Sequence, residues 1–369
     1  MHALVAPDKF KGCLTAAEVG ARLAHGARRA GATTTVLPLA DGGDGSVDAA
    51  VAAGFAREIV TVASALGEQH DASIAVGPDT VVAELANTCG MATLPTGVLA
   101  PIDSSTVGLG QAVRAALRHR PRRLVLALGG SASTDGGIGM LTALGYTFSN
   151  VDGDELSPSA ASLSAVDRVE IESPVLLNDV EIVIAGDVTN PLVGPNGAAH
   201  VFGPQKGADP AMVSRLDKSL ADFVNTLVRN GFDNATEIAR LPGAGAAGGA
   251  GFAAMLLGGQ MVSGAEFFLD LLGFDDHVSR ADVVLTGEGS VDTQTMAGKL
   301  LSVLTRRAAC TPVVVVAGRN LLDHKDWTRA GFRQTYALDE WTDVDTASDP
   351  LLTGDLLEHI AEHAVRNLR

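Results

Sequence analysis

The sequence predicts an α/β protein in which both chain ends build one parallel sheet and the middle forms a second, mixed α/β domain inserted between them. Three observations carry this. Short apolar runs alternate with amphipathic helix patterns near the N-terminus and again after residue 276. Between them, Glu58 to Leu85 alternates apolar and polar residues and is rich in Val and Thr, the pattern of antiparallel strands. Acidic, glycine-rich loops recur directly behind the apolar runs. Residues 1–60 and 276–369 are therefore assigned to one discontinuous domain, and 61–275 to the insertion.

Each element has a local reason. Ala3 to Ala6 is an apolar run, Pro7 to Gly12 a loop, and Thr15 with Glu18 three residues on forms a capping box for a helix reaching about Ala30. Val19, Leu23, Ala27 and Ala30 share a face of that helix, and Gly31 stops it before the strand Thr33 to Leu37. The acidic loop Pro38 to Ser46 follows. A helix is expected over about Ser104 to Arg118, ended by Pro121, then a buried strand from Leu124 that runs into glycines. Glu181 to Ala185 is the next strand, and Pro210 to Val228 an amphipathic helix with Leu216, Leu220, Phe223 and Leu227 on one side. Asp282 to Leu285, Pro312 to Ala317 and Gln334 to Ala337 complete a five-stranded parallel sheet with the two N-terminal strands, and Leu351 to Leu368 closes the chain as a helix.

Composition narrows the function. Of 369 residues 46% are apolar, enough for real cores, and 27 Lys and Arg stand against 43 Asp and Glu for a net charge of −16. That balance argues against nucleic acid or an anionic membrane as partner, so an anionic substrate needs a local cationic cluster. Cys13, Cys89 and Cys310 form neither a disulfide framework nor a zinc knuckle, and the N-terminus has no signal-peptide pattern, so a cytoplasmic protein is expected. Leu241 to Ala265 carries no charge, but its eight glycines, Pro242 and Gln260 read as a buried segment and not a membrane span.

The organising stretch is Leu124 to Met140. Glycines from Gly129 to Gly139, with Ser131, Ser133 and Thr134, allow either a phosphate cradle at a helix N-terminus or a tight glycine turn. Asp135 beside an anion site suggests a metal-bound phosphate. Asp8, Asp41, Asp135, Asp187 and Glu288 all fall just beyond strand ends, where open α/β sheets bind ligands, and Lys9, Lys11, Lys206 and Lys299 are the candidate cations. Phosphoryl transfer requires this inventory of carboxylates, backbone donors and a lysine. A phospho-ligand sensor would not need the surplus acids, and a hydroxy-acid dehydrogenase lacks its motif: Gly243 to Gly248 matches GxGxxG, but no strand precedes it. There is no GxxxxGK[ST] loop, and His359-Ile-Ala-Glu362-His363 has too little chain after it for a third zinc ligand.

APDKFKG (Ala6 to Gly12), PLADGGDGS (Pro38 to Ser46), LGGSASTDGGIGM (Leu128 to Met140), DVTNPLVGPNGA (Asp187 to Ala198), FGPQKGAD (Phe202 to Asp209), GAGAAGGAG (Gly243 to Gly251) and TGEGSVDTQT with Gly298-Lys299 together resemble the bacterial class I glycerate kinases, in family order along nearly the whole chain. The resemblance departs after Lys299, where Leu300-Leu301-Ser302-Val303 replaces a proline-containing pair. It implies a flavodoxin-like domain interrupted by a restriction-endonuclease-like insertion, with ATP and Mg²⁺ as cofactors and D-glycerate phosphorylated, to 2-phosphoglycerate in preference to 3-phosphoglycerate, in the cleft between the domains. On that reading Asp187, Asp8 and Lys11 are catalytic, and Lys9, Lys11, Asp41, Asp44, Glu288 and Asp292 bind the acid. Gly129, Gly130, Ser131, Ser133, Thr134, Gly136, Gly137, Asn190 and Lys206 bind the nucleotide, while Asp135 and Asp187 hold the metal. Asp187 acts either as base for the attacking hydroxyl or as a magnesium ligand beside it. The oligomeric state is left open.

Overall fold

The computed structural model describes residues 1–171, 177, 179–292 and 300–368. Its strands, in chain order, are β1 (His2–Val5), β2 (Thr33–Val36), β3 (Ala56–Ala63), β4 (Gln69–Val76), β5 (Thr80–Glu84), β6 (Arg123–Ala127), β7 (Tyr146–Ser149), β8 (Arg168–Ile171), β9 (Glu181–Ala185), β10 (Gln260–Val262), β11 (Val283–Val291), β12 (Val313–Asn320) and β13 (Gln334–Ala337). The chain clusters into two compact units: Met1–Asp41 with Asp48–Ala53 and Ala265–Arg369, and Gly42–Val47 with Gly54–Gly264.

The first unit holds a five-stranded sheet in the order β13-β12-β11-β1-β2, every neighbouring pair parallel. Numbered within the unit this is the order 2-1-3-4-5, one of the two common doubly wound arrangements. Alternate residues face opposite ways, so the strands feed two cores. Ala3, Val5, Val283 and Leu285 pack with the helices Ala16–Arg29 and Pro350–Asn367. Leu4, Val284 and Val315 pack with Leu300–Ala308 and with Leu269, Leu272 and Phe274. The expected capping box is present: the Thr15 hydroxyl accepts from the Glu18 amide at 3.2 Å, and the Glu18 carboxylate accepts from the Thr15 amide at 2.8 Å. Gly26 lies where this helix meets Glu358, since a Cβ there would stand 2.0 Å from the Glu358 carbonyl oxygen.

The second unit holds a six-stranded mixed sheet, β10-β9-β6-β5-β4-β3, in which β3, β4 and β5 pair antiparallel while β5, β6, β9 and β10 run parallel. Its core gathers Leu109, Phe148, Leu220, Phe223 and Phe252 around the helices Val107–Leu117 and Pro210–Arg229. The uncharged segment from Leu241 is buried in this core through Ala244, Ala250, Phe252 and Ala253. Among the described residues no helix is long and apolar enough to cross a membrane.

Three local differences from the sequence reading have physical causes. Residues 42–47 cluster with the second unit, because they hydrogen-bond to Gly129 and Glu84, and Ala265 onwards clusters with the first, because Ala265 and Leu269 enter its core. The helix expected from Ser104 begins only at Val107, the preceding Ser104 and Thr106 being buried. Strand β11 continues to Val291 through residues that read as a loop, with Glu288 opposite Ala317 and Val291 opposite Asn320 on β12. Glycines make that extension possible: a Cβ on Gly318 would stand 2.5 Å from the Gly289 carbonyl oxygen.

Candidate active site

In the second unit β5, β6 and β9 run parallel, so Glu84, Gly129 and Gly186 emerge side by side at their carboxyl ends. The loop Gly42–Val47 lies directly on these ends. The Gly129 amide donates to the Gly42 carbonyl at 3.2 Å, and a Cβ on Gly129 would stand 2.5 Å from the Gly43 Cα. Gly42, at φ +87°, could not carry a side chain either, because its Cβ would meet the Ala185 carbonyl oxygen at 2.3 Å. Backbone packed this closely is why glycine recurs in two loops far apart in sequence. Asp44 and Asp187 are exposed on these loops.

The stretch after β6 differs in an instructive way from a phosphate cradle on a helix. The helix starts only at Ile138 and has six residues, and Asp135 itself takes the helix amides. Its Oδ1 accepts from Gly137 N at 3.1 Å; its Oδ2 accepts from Thr106 N at 2.8 Å, Thr106 Oγ1 at 2.7 Å and Gly139 N at 3.3 Å. The carboxylate is fully buried, and burial pushes its carboxyl above the ordinary range against the pull of those donors. Three of these hydrogen bonds fall on Oδ2 and one on Oδ1, so the carboxylate is engaged within the protein itself. Gly136 and Gly137 are packed against the rest of the unit. Gly136 donates to the Gly248 carbonyl at 2.9 Å and faces Leu220 and Phe223, and a Cβ on Gly137 would stand 2.3 Å from the Ala253 Cβ.

Ser131, Ser133 and Thr134 form the part of the stretch that retains a binding chemistry. Lys206 reaches them from the turn Pro204–Lys206 and is only 2% exposed. Its ammonium donates to Ser131 Oγ at 2.8 Å and to the Ser133 carbonyl, two of its three N–H bonds. Burial pulls its pKa down to about 8, with Asp135 opposing. The Ser133 and Thr134 hydroxyls are buried without a hydrogen-bond partner among the described residues, the kind of orphaned donors a phosphate would satisfy. Asn190 braces the neighbouring loop: its side-chain amide donates to the Asn196 carbonyl at 2.8 Å and its carbonyl accepts from Gly245 at 2.9 Å.

The first unit gathers the remaining expected residues. Asp8 donates its amide to the Gly287 carbonyl at 2.9 Å, which sets the Asp8–Lys11 loop beside the extended end of β11 and hence near Glu288 and Gly289. Lys9 Nζ lies 3.9 Å from Asp8 Oδ1, and Lys11 is exposed. Asp41 follows β2, which stays alongside β1 as far as the hydrogen bond from Leu39 to the Pro7 carbonyl at 2.9 Å. Asp292 follows β11, and Lys299 lies outside the described residues. The zinc pattern on the last helix is otherwise engaged, Glu362 pairing with Arg29 at 3.1 Å. Among the described residues no cluster of three or more His, Cys, Asp or Glu side chains could hold a metal by itself.

Sequence reasoning missed Thr106 and Glu84. Thr106 gave no signal, but Glu84 did: it is the lone acid closing the apolar run Val81-Val82-Ala83 at a strand end.

The sequence model of the glycerate kinase family matches residues 3–369. The chain belongs to the glycerate kinase family. It is 36% identical over 307 residues to the glycerate 2-kinase of Escherichia coli K12, covering 81% of this chain and 80% of that one. With the glycerate kinase of Bacillus subtilis 168 it is 34% identical over 378 aligned positions, covering 100% of this chain and 96% of the relative. A crystal structure described as a glycerate kinase 2 from Salmonella typhimurium LT2 superposes with a TM-score of 0.81 at 31% identity, covering 100% of this chain and 98% of that one.

Proposed function

We propose that this glycerate kinase family member transfers the γ-phosphoryl group of ATP to the C2 hydroxyl of D-glycerate. The observation that carries the reading is the cluster of buried donors after β6. Lys206 and the orphaned Ser133 and Thr134 hydroxyls offer a phosphate a fixed set of N–H and O–H groups. The acid falls to the loops of the first unit, where Lys11 would face the carboxylate and Asp8 and Asp41 the hydroxyls. In-line transfer needs acceptor and donor in one place, so the proposal includes a site to which both units contribute. A flavodoxin-like first unit and a restriction-endonuclease-like second one belong to it as well, as does residence in a reducing cytoplasm, to which the free Cys13, Cys89 and Cys310 are suited.

Mg²⁺ carried on nucleotide phosphates needs one or two protein carboxylates, and exposed Asp187 just past β9 has the position for this, whereas Asp135 does not. The metal would neutralise charge on the transferred group. The test is a reaction of the purified protein with D-glycerate, ATP and Mg²⁺, with the product identified by NMR. 2-Phosphoglycerate supports the reading. 3-Phosphoglycerate would overturn the choice of hydroxyl, and no phosphorylated acid would overturn the function.

A further inference from the structure

Glu84 ends β5 and is only 2% exposed, and none of the roles considered so far uses it. A carboxylate buried at a strand end has to be matched by donors, and here both oxygens are matched by the same short loop. Oε1 accepts from the Gly45 amide at 3.2 Å and Oε2 from the Val47 amide at 2.9 Å. These two amides flank Ser46, whose hydroxyl donates to the Gly43 carbonyl at 2.6 Å. Helix starts are ordinarily capped by a Ser, Asp or Asn of the loop itself. At the start of Ser46–Ala52 the cap comes from a strand 37 residues further on. With the Gly129-to-Gly42 hydrogen bond and the contact of Gly42 on Ala185, Gly42–Val47 is fastened to the ends of β5, β6 and β9.

We propose that Glu84 is a positioning residue for acid binding: it fixes the Gly43–Gly45 turn and thereby aims the exposed Asp44 carboxylate at the acceptor substrate. This rests on the function proposed above and on the placing of Asp44 at the acid site that the family resemblance implies. Only a carboxylate of this length fits the role. Glutamine offers a single acceptor oxygen and would turn its NH₂ toward one of the two amides, and aspartate is one methylene too short to span both.

The experiment compares Glu84→Gln, Asp44→Asn and the double variant by steady-state kinetics, alongside thermal unfolding. Glu84→Gln is expected to raise the D-glycerate KM at least about tenfold, the loss of one charge-assisted hydrogen bond, with the ATP KM essentially unchanged. The double variant should be no worse than Asp44→Asn alone, because the two act as one unit. An unchanged glycerate KM in Glu84→Gln, a change confined to the ATP KM, or fully multiplicative effects would overturn the proposal. An inert Asp44→Asn beside an affected Glu84→Gln would overturn the aiming role together with the assignment of Asp44, while leaving the phosphorylation of D-glycerate itself untouched. Hydrogen exchange on the wild-type protein gives a check independent of any variant's folding. The Gly45 and Val47 amides should exchange slowly, and exchange as fast as in an open loop would overturn the proposal.

Discussion

Replacing Asp135 by Asn separates a structural anion from a metal ligand. Four hydrogen bonds converge on this fully buried carboxylate, one on Oδ1 from Gly137 and three on Oδ2 from Thr106 and Gly139. Asparagine has one acceptor oxygen. Its better orientation keeps that oxygen at the three donors and turns the NH₂ against the Gly137 N–H, so one bond becomes a donor–donor contact and the others lose their charge assistance. Bonds to charged groups contribute about 1.5–3 kcal/mol each, and a buried unsatisfied donor costs about 1–3 kcal/mol. Relief of the buried charge offsets part of this, which leaves a net destabilisation on the order of 3 kcal/mol. For a unit of roughly 200 residues that lowers Tm by about 6–12 °C. Calorimetric melting and kcat at 25 °C are the assay. The expected outcome is the lower Tm with kcat of the folded protein within about threefold of wild type. An unchanged Tm with kcat reduced about a hundredfold or more would refute the structural role and restore the metal-ligand reading.

Lys206 predicts a pH dependence of stability. Its folded-state pKa, lowered by burial to about 8, lies below the ordinary 10.5, so between these values the unfolded chain holds a proton that the folded one has released. Stability should therefore rise with pH across that window, by about 3 kcal/mol, and show no Lys206 contribution to the slope below it. Denaturant titrations of wild type and Lys206→Met check this, and an identical rise in both would exclude Lys206 as its source. Lys11→Ala should raise the D-glycerate KM by at least about tenfold and leave the ATP KM alone, the reverse pattern counting against an acid-binding lysine.

The regular elements were legible because their signals are local. The capping box at Thr15 and Glu18, the apolar runs at β1 and β12, and the apolar face of Pro210–Arg229 each declare themselves within a few residues. The site was legible only as a set of loops. Asp135 has a carboxylate's chemistry in any setting, but that Thr106, 29 residues earlier, would claim it depends on tertiary packing. Lys206 reads as a candidate cation, but its burial is not legible, because nothing adjacent to it in sequence announces it. Glu288 read as a loop residue because Gly-Glu-Gly has turn composition, whereas pairing with β12 keeps it in a strand. In each case the deciding partner lies far away in sequence, where periodicity and turn chemistry carry no information.

The central claim is that the strand-end loops of the second unit carry phosphoryl transfer, and Asp187 tests it most directly. Asp187 is exposed just beyond β9, where Gly186 donates to the Val262 carbonyl at 3.1 Å and Asn190-Pro191 stiffens the following turn. Asp187→Asn retains shape and hydrogen bonding but removes the charge needed by a base or a magnesium ligand. Turnover of D-glycerate and ATP and the melting temperature are measured on the same preparation. The account predicts a kcat lower by at least about a hundredfold with Tm unchanged. Retained turnover, with or without a lower Tm, would contradict it.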